Sequence, residues 1–333
     1  MIRNPVLDSP LMEFQSIPRL NRIAFSTPIE ECDRLRAKIP GSPHIYIKRD
    51  DHTDYLVGGN KLRKLEFTMA EALAKGASTI LTTGSTHSNH ARITAMISKR
   101  LGLNCVLVLN GDSSKEAKGN LHISRLLGAE IHLVENRDQR VARMEEVWRE
   151  LEERGERVYL APLGCSDEIG SFGLVAAMQE VCSQMAAFPV NFDAIILASS
   201  SGGTQAGLEV GKRLFGLDRL QIIGISPDDS SDKIRESIFR IMPPMLHRLG
   251  LNSDVEKDEL QIDDRYVGKG YGKATEASED AMRLFCQTEG ILLDPFYTSK
   301  SAAALIDYCR NQRFSPDSHI LFWHTGGLIN LFK

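Results

Sequence analysis

One alternation constrains the fold of this chain more than any other feature. A short β-branched apolar run gives way to a glycine-containing loop, and the loop to an amphipathic stretch. The runs lie at 44–48, 79–83, 105–109, 130–134, 157–160, 194–198, 221–225 and 319–323. Most are apolar throughout, as strands covered on both faces should be. Helical periodicity falls at 61–75, 88–101, 119–127, 140–154, 170–185, 205–215, 275–289 and 300–312. Strand–helix alternation predicts parallel sheets flanked by helices, an α/β fold. The 333 residues exceed what one core usually holds, since cores stop growing near ~250–300 residues. Residues 53–161 read as a small, self-contained α/β domain. Residues 1–52 plus 162–333 then form a larger, discontinuous one.

Composition narrows the function. The net charge of −4 is spread without a basic cluster, so a nucleic-acid partner is not expected. No apolar run reaches the ~18 residues of a membrane span. Pro5, Asp8 and Glu13 interrupt the N-terminal stretch where a secretory signal needs apolar residues. The cysteines Cys32, Cys105, Cys165, Cys182, Cys286 and Cys309 are scattered, with no C-x-x-C pair. Reduced thiols in a cytoplasmic protein, with neither disulfide framework nor metal site, are the expectation.

Several loops could carry chemistry. Gly58-Gly59-Asn60-Lys61-Leu62-Arg63-Lys64 opens a helix, with Lys61 and Lys64 on one face. A lysine at a helix start opposes the dipole. It suits anion binding, or an amine kept neutral enough to attack an aldehyde; a turn before a solvated basic helix is the plain alternative. Thr83-Gly84-Ser85-Thr86-His87-Ser88-Asn89-His90 follows a strand and offers hydroxyls and free N–H groups to a carboxylate or phosphate. Ser88 would in any case cap a helix. Ser199-Ser200-Ser201-Gly202-Gly203-Thr204 repeats the arrangement and can cradle a phosphate. It lacks both the G-x-G-x-x-G of a dinucleotide site and the Gly-Lys-Ser/Thr of a nucleotide loop. Tyr271 between Gly270 and Gly272 is poorly placed for a core aromatic. Tyr297 follows a proline turn, and His324-Thr325-Gly326-Gly327 ends a strand, where parallel sheets bind ligands.

In this order, Gly-Gly-Asn-Lys-x-Arg-Lys, Ser-Asn-His, Ser-Gly-Gly-Thr-Gln-Ala-Gly, Thr-Glu-Gly-Ile-Leu-Leu-Asp-Pro-x-Tyr-Thr and His-Thr-Gly-Gly resemble the D-cysteine desulfhydrase and 1-aminocyclopropane-1-carboxylate (ACC) deaminase family. The resemblance runs from about Pro28 to Phe332. It implies the two-domain fold type II of pyridoxal 5′-phosphate (PLP) enzymes, similar to tryptophan synthase β, a homodimer, and a small amino-acid substrate. Lys61 would be the Schiff-base lysine and the base at the substrate Cα. Lys64, Ser201, Gly202, Gly203 and Thr204 would hold the phosphate. Asn89 would bond the phenolic oxygen. Thr325, with Thr298, would contact the pyridine nitrogen. Ser88, with His87, Asn89 and His90, would hold the substrate carboxylate, and Ser88 would also serve as a catalytic proton donor or acceptor. Tyr271 and Tyr297 would carry protons.

Within the resemblance, ACC deaminases have Tyr-Glu where this chain has Tyr297-Thr298. A carboxylate there would keep the pyridine nitrogen protonated; a neutral hydroxyl does not enforce that and suits β-elimination. The desulfhydrase branch is therefore expected: D-cysteine to pyruvate, hydrogen sulfide and ammonia. Two departures accompany it, His87 where glutamine is usual and Asp54-Tyr55-Leu56-Val57 before the Gly-Gly-Asn-Lys motif. ACC deaminase and L-cysteate sulfo-lyase are the alternatives within the family. A non-catalytic PLP-binding protein or a nucleotide-binding dehydrogenase are those outside it.

Overall fold

The computed structural model describes residues 5–23, 25–53, 58–112, 117–187 and 190–332, with side chains from residue 9 onward. The strands are β1 (Ile29–Glu31), β2 (His44–Arg49), β3 (Thr79–Ser85), β4 (Asn104–Asn110), β5 (Glu130–Val134), β6 (Val158–Leu160), β7 (Ala194–Ala198), β8 (Gln221–Ile225), β9 (Gln261–Asp263) and β10 (His319–His324). The helices are α1 (Pro5–Ser16), α2 (Asp33–Ala37), α3 (Asn60–Ala74), α4 (Asn89–Arg100), α5 (Gly119–Leu126), α6 (Arg140–Glu153), α7 (Glu168–Ala187), α8 (Gly203–Leu214), α9 (Ser231–Arg248), α10 (Glu276–Glu289) and α11 (Thr298–Arg310). Every strand and helix expected from the pattern is present, with ends within two residues of those expected.

The strands form two sheets. One has the order β1-β2-β10-β7-β8-β9, the other β5-β4-β3-β6. All neighbouring pairs are parallel except β1 against β2. Central β7 is buried along its whole length, which is why it reads as an unbroken apolar run.

The pattern missed α1, α2, α9, β1 and β9. Strands of three residues carry too little periodicity to read. Helix α9 contains Pro243 and Pro244, residues that normally break a helix. Burial of Ile234, Ile238, Ile241, Met242, Met245 and Leu246 on one face holds it nonetheless, so packing outweighs propensity.

Helix α3 lies close against α7. A Cβ on Gly173 would sit 2.1 Å from the Arg63 carbonyl oxygen, so the approach requires glycine there. The same junction holds a buried charge network. Arg63 donates to both oxygens of Asp50, at 2.9 and 2.7 Å, and to Glu180 at 2.9 Å. Lys48 donates to Glu180 at 2.5 Å and to Gln184 at 2.7 Å. The Trp323 indole N–H donates to Asp50 at 2.8 Å. Burial alone would raise the Asp50 carboxyl, but the Arg63 charge and hydrogen bonds outweigh it and hold the group below the ordinary value. Glu180 is lowered against the same burial penalty, again chiefly by Arg63.

Removing the guanidinium leaves buried Asp50 with no cation bonded to it and Glu180 with Lys48 alone. Arg63→Met should therefore cost about 3–5 kcal/mol in urea unfolding at pH 7. Because both carboxyls are depressed in the folded state, their contribution is complete above the unfolded values of ~4 and fades as pH falls through the lower folded ones. The variant's acid-unfolding midpoint should accordingly lie at higher pH than that of the natural protein.

Candidate active site

The carboxyl ends of β3, β6, β7 and β10 feed loops into one cavity of about 840 Å³. Lys61, Ser88, Asn89, His90, Ser201, Gly202, Thr204, Tyr271, Tyr297 and Thr325 all line it. Residues up to 264 positions apart in the sequence thus meet in one place, as the crevice rule for parallel sheets requires.

Lys61 sits in the first turn of α3, and its Nζ lies 3.2 Å from Asn60 Oδ1. Burial brings its amine down to about 8; Cys165 and Asp294 oppose this only in part. A substantial neutral fraction is therefore available near neutral pH, as attack on an aldehyde requires.

The seat for an anion lies at the start of α8. Gly202 is its N-cap with φ 81°, and the first N–H groups of a helix have no backbone partner. Thr204 Oγ1 accepts from Asn60 Nδ2 at 2.9 Å. The Ser201 and Ser166 hydroxyls are 2.7 Å apart. Ser199 Oγ is buried with no hydrogen-bond partner among the described residues. A Cβ on Gly203 would lie 2.7 Å from both Lys64 Nζ and Ser166 Oγ. The loop therefore closes on the lysine only because Gly203 has no side chain.

Four expected residues stand elsewhere. Lys64 and Gly203 lie behind the cavity wall: Lys64 donates to Ser166 Oγ at 3.0 Å and to the Gly164 carbonyl at 3.2 Å. Burial, then Lys61, hold the Lys64 ammonium well below its ordinary value. Lys64 thus shapes the anion loop from beneath. Thr298 is buried off the cavity, its hydroxyl 2.8 Å from Asp294 Oδ1. Its short side chain is used to start α11. His87 is exposed and off the cavity, its ring edge-on to Phe296 at 5.5 Å. His90 does line the cavity, but its ring nitrogens face Thr82 and Thr94 hydroxyls at 2.8 and 3.5 Å. Burial, with Lys61 and Lys64 nearby, pushes it down to about 3. It is therefore neutral and offers a carboxylate no charge. The 54–57 departure lies outside the described residues.

Ser88 caps α4, accepting from Ala91 N at 3.1 Å. Its own O–H remains free to donate. Asn89 Oδ1 accepts from Asn120 Nδ2 at 3.0 Å, which leaves the Asn89 Nδ2 as a donor. The Tyr271 and Tyr297 hydroxyls are 2.7 Å apart, and Ser85 Oγ lies 3.2 Å from Tyr271. Burial raises both phenols, Tyr297 well above its ordinary value with Tyr271 adding to the effect. Both are protonated at neutral pH and act as donors.

Ser166, Gly164 and Asp294 were not anticipated. Asp294 accepts from the backbone N–H of Phe296, Tyr297 and Thr298 at 2.7–3.3 Å and so fixes the start of α11. The Asp-Pro turn was a visible signal for it. The Gly164–Ser166 turn follows a strand of only three residues and gave little signal.

An amine near neutrality, an anion seat at a helix start and amide and hydroxyl donors between them fit an aldehyde cofactor with a phosphate tail. The sequence family described as "Pyridoxal-phosphate dependent enzyme" matches residues 21–326. D-cysteine desulfhydrase of Yersinia pestis (strain Pestoides F) is 37% identical over 320 residues, covering 95% of each chain. That of Salmonella paratyphi A is 36% identical over 328 residues, 97% of this chain and 98% of its own. A crystal structure of an ACC deaminase homologue superposes with a TM-score of 0.88 at 34% identity, covering 99% of this chain and 97% of that one. The diaminopropionate ammonia lyase of Escherichia coli, 16% identical with a TM-score of 0.70 over 98% of this chain and 91% of its own, shares the fold. The protein belongs to the pyridoxal-phosphate dependent enzymes, and PLP is its cofactor.

Gly203→Ala should fold and lose the cofactor. PLP titration followed by absorbance should show affinity weaker by about tenfold or more, equivalent to ~1.4 kcal/mol.

Proposed function

We propose that the enzyme eliminates sulfide from D-cysteine, giving pyruvate, hydrogen sulfide and ammonia. The observation that carries this reading is the 37% identity to D-cysteine desulfhydrase across 95% of both chains.

Bound PLP supplies an electron sink for the pair left when a bond at the substrate Cα breaks. The residues around it divide the remaining work. Asn60, Ser166 and the Ser201–Gly202–Gly203–Thr204 turn seat the phosphate, and Lys64 stiffens that turn. Asn89, with its Nδ2 uncommitted, and Thr325 line the same cavity and would hold the cofactor ring. Ser88 donates its uncommitted O–H to the substrate carboxylate. Lys61 would hold the cofactor through its Nζ, and the same amine is placed to take the substrate's Cα proton. The protonated Tyr271–Tyr297 pair delivers a proton to the departing sulfur. Water completes the balance by converting the remaining enamine to pyruvate and ammonia.

The proposal extends to a homodimer in the cytoplasm and to lobes of 53–161 and 1–52 plus 162–333. The two separate sheets support the lobes. Six free cysteines, four of them buried, support a reducing compartment.

Pyruvate measured after incubation with D-cysteine, L-cysteine, L-cysteate and ACC tests the substrate. Turnover of D-cysteine above the others is expected; turnover of ACC alone would replace the reading. Borohydride trapping and peptide mass spectrometry should place the cofactor on Lys61, and a label on another lysine would refute the assignment. In Tyr297→Phe, kcat should fall by about 10²–10⁴-fold, the usual worth of a positioned proton donor, with KM changed far less.

A further inference from the structure

We propose that Lys300 is a positioning residue: its buried ammonium clamps the Gly-Tyr-Gly turn and so aims the Tyr271 hydroxyl at Tyr297. This rests on the proposed role of the tyrosine pair.

Lys300 lies in the first turn of α11 and is only 1% exposed. An ammonium has three N–H donors and no acceptor. Here each has a backbone carbonyl: Pro227 at 2.8 Å, Val267 at 2.8 Å and Gly270 at 3.1 Å. None of these oxygens belongs to α11 or to either sheet. Two come from the turn that carries Tyr271, and the third from the loop that carries Asp228. Among the described residues no carboxylate lies within ion-pair distance of Lys300. Burial pushes its ammonium down, and Asp228 and Asp294 oppose that through space. A buried lysine satisfied by carbonyls alone is a costly way to fill a core, and its position accounts for that cost.

The turn needs an external anchor. Gly270 and Gly272 flank Tyr271 with φ of 100° and 69°, and neither would meet an atom within 4 Å through a Cβ. The space beside both glycine Cα atoms is open, so the backbone there depends on its hydrogen bonds and on the Tyr271 ring for its hold. The turn's own backbone bonds, Val267 N to Asp264 O, Gly270 N to Val267 O and Lys273 N to Gly270 O, are all 3.3 Å long. The charged bonds from Lys300 to Val267 and Gly270 are shorter and, being charge-assisted, stronger.

The same helix sets the other phenol. Tyr297 is the N-cap of α11, three residues before Lys300. Both ends of the 2.7 Å hydroxyl contact are thus referred to one rigid helix start. Without the clamp, Tyr297 stays and Tyr271 drifts.

The test compares full-length holoenzyme with Lys300→Met, which keeps the stem and removes the donors. Pyruvate release from D-cysteine should fall by about 10²-fold in kcat, the scale of a misplaced catalytic group, while KM changes less than about threefold. The three vacated carbonyls form an oxygen cage, so 100 mM potassium or ammonium chloride should restore part of kcat at ~0.1 M added salt, with lithium chloride at equal ionic strength as the inactive control. Adding Lys300→Met to Tyr271→Phe should lower kcat no further than Tyr271→Phe alone. Hydrogen exchange at residues 265–273 should quicken in Lys300→Met and slow again with potassium, in PLP-loaded and PLP-free protein alike. If Lys300→Met does not fold, Lys300→Gln, which keeps two N–H donors and no charge, takes its place in the exchange and double-variant comparisons, without the salt rescue.

Unchanged exchange at 265–273, or a full additive loss in the double variant, overturns the proposal. If the natural protein releases no pyruvate from D-cysteine, the functional reading fails, and the exchange comparison still decides the role of Lys300.

Discussion

The structure depends on the burial of Arg63 between Asp50 and Glu180. Arg63 is on the helix that presents Lys61, two residues further along, where it faces away from the cavity. Its bonds to Asp50 and Glu180 fasten that helix to β2, β10 and α7. A buried ion pair of this kind contributes little net stability against a well-packed apolar substitute. What it supplies is direction: the first turn of α3 can occupy one position only. Lys61, Asn60 and Lys64 inherit that position.

Two lysines three residues apart illustrate how burial divides labour. Both are desolvated, and both ammonium groups are lowered. Lys61 opens on the cavity, with no carboxylate bonded to it. Lys64 spends its donors on Gly164 and Ser166 and never reaches the cavity. The same residue type, on the same face of the same helix, becomes a reactive amine in one case and a structural brace in the other.

Much of this was legible in the sequence, for a definite reason. Strands covered on both faces announce themselves as apolar runs, and loops that bind ligands at their ends announce themselves as small polar residues. Lys61, Ser88, Asn89, Ser201, Gly202, Thr204 and Thr325, singled out that way or through the family resemblance, all line the cavity. What escaped was tertiary. Neither His87 nor His90 shows in its own sequence whether its ring turns outward or locks onto two threonines. Thr298 was expected at the pyridine nitrogen through the resemblance alone, whereas the start of α11 turns its hydroxyl onto Asp294. Pro243 and Pro244 hid α9, since local preference spoke against a helix that only distant packing sustains. Ser166 belongs to the anion seat through a partner, Ser201, that lies 35 residues away.

The anion seat has one more consequence. Asn60, Ser166, Ser201 and Thr204 come from three separate stretches of chain and touch only once β6, β7 and α3 have docked. A nascent or half-assembled polypeptide therefore has nowhere to put a phosphate. A ligand that bridges these residues would bind the assembled chain in preference to the unfolded one and draw the population toward it by mass action.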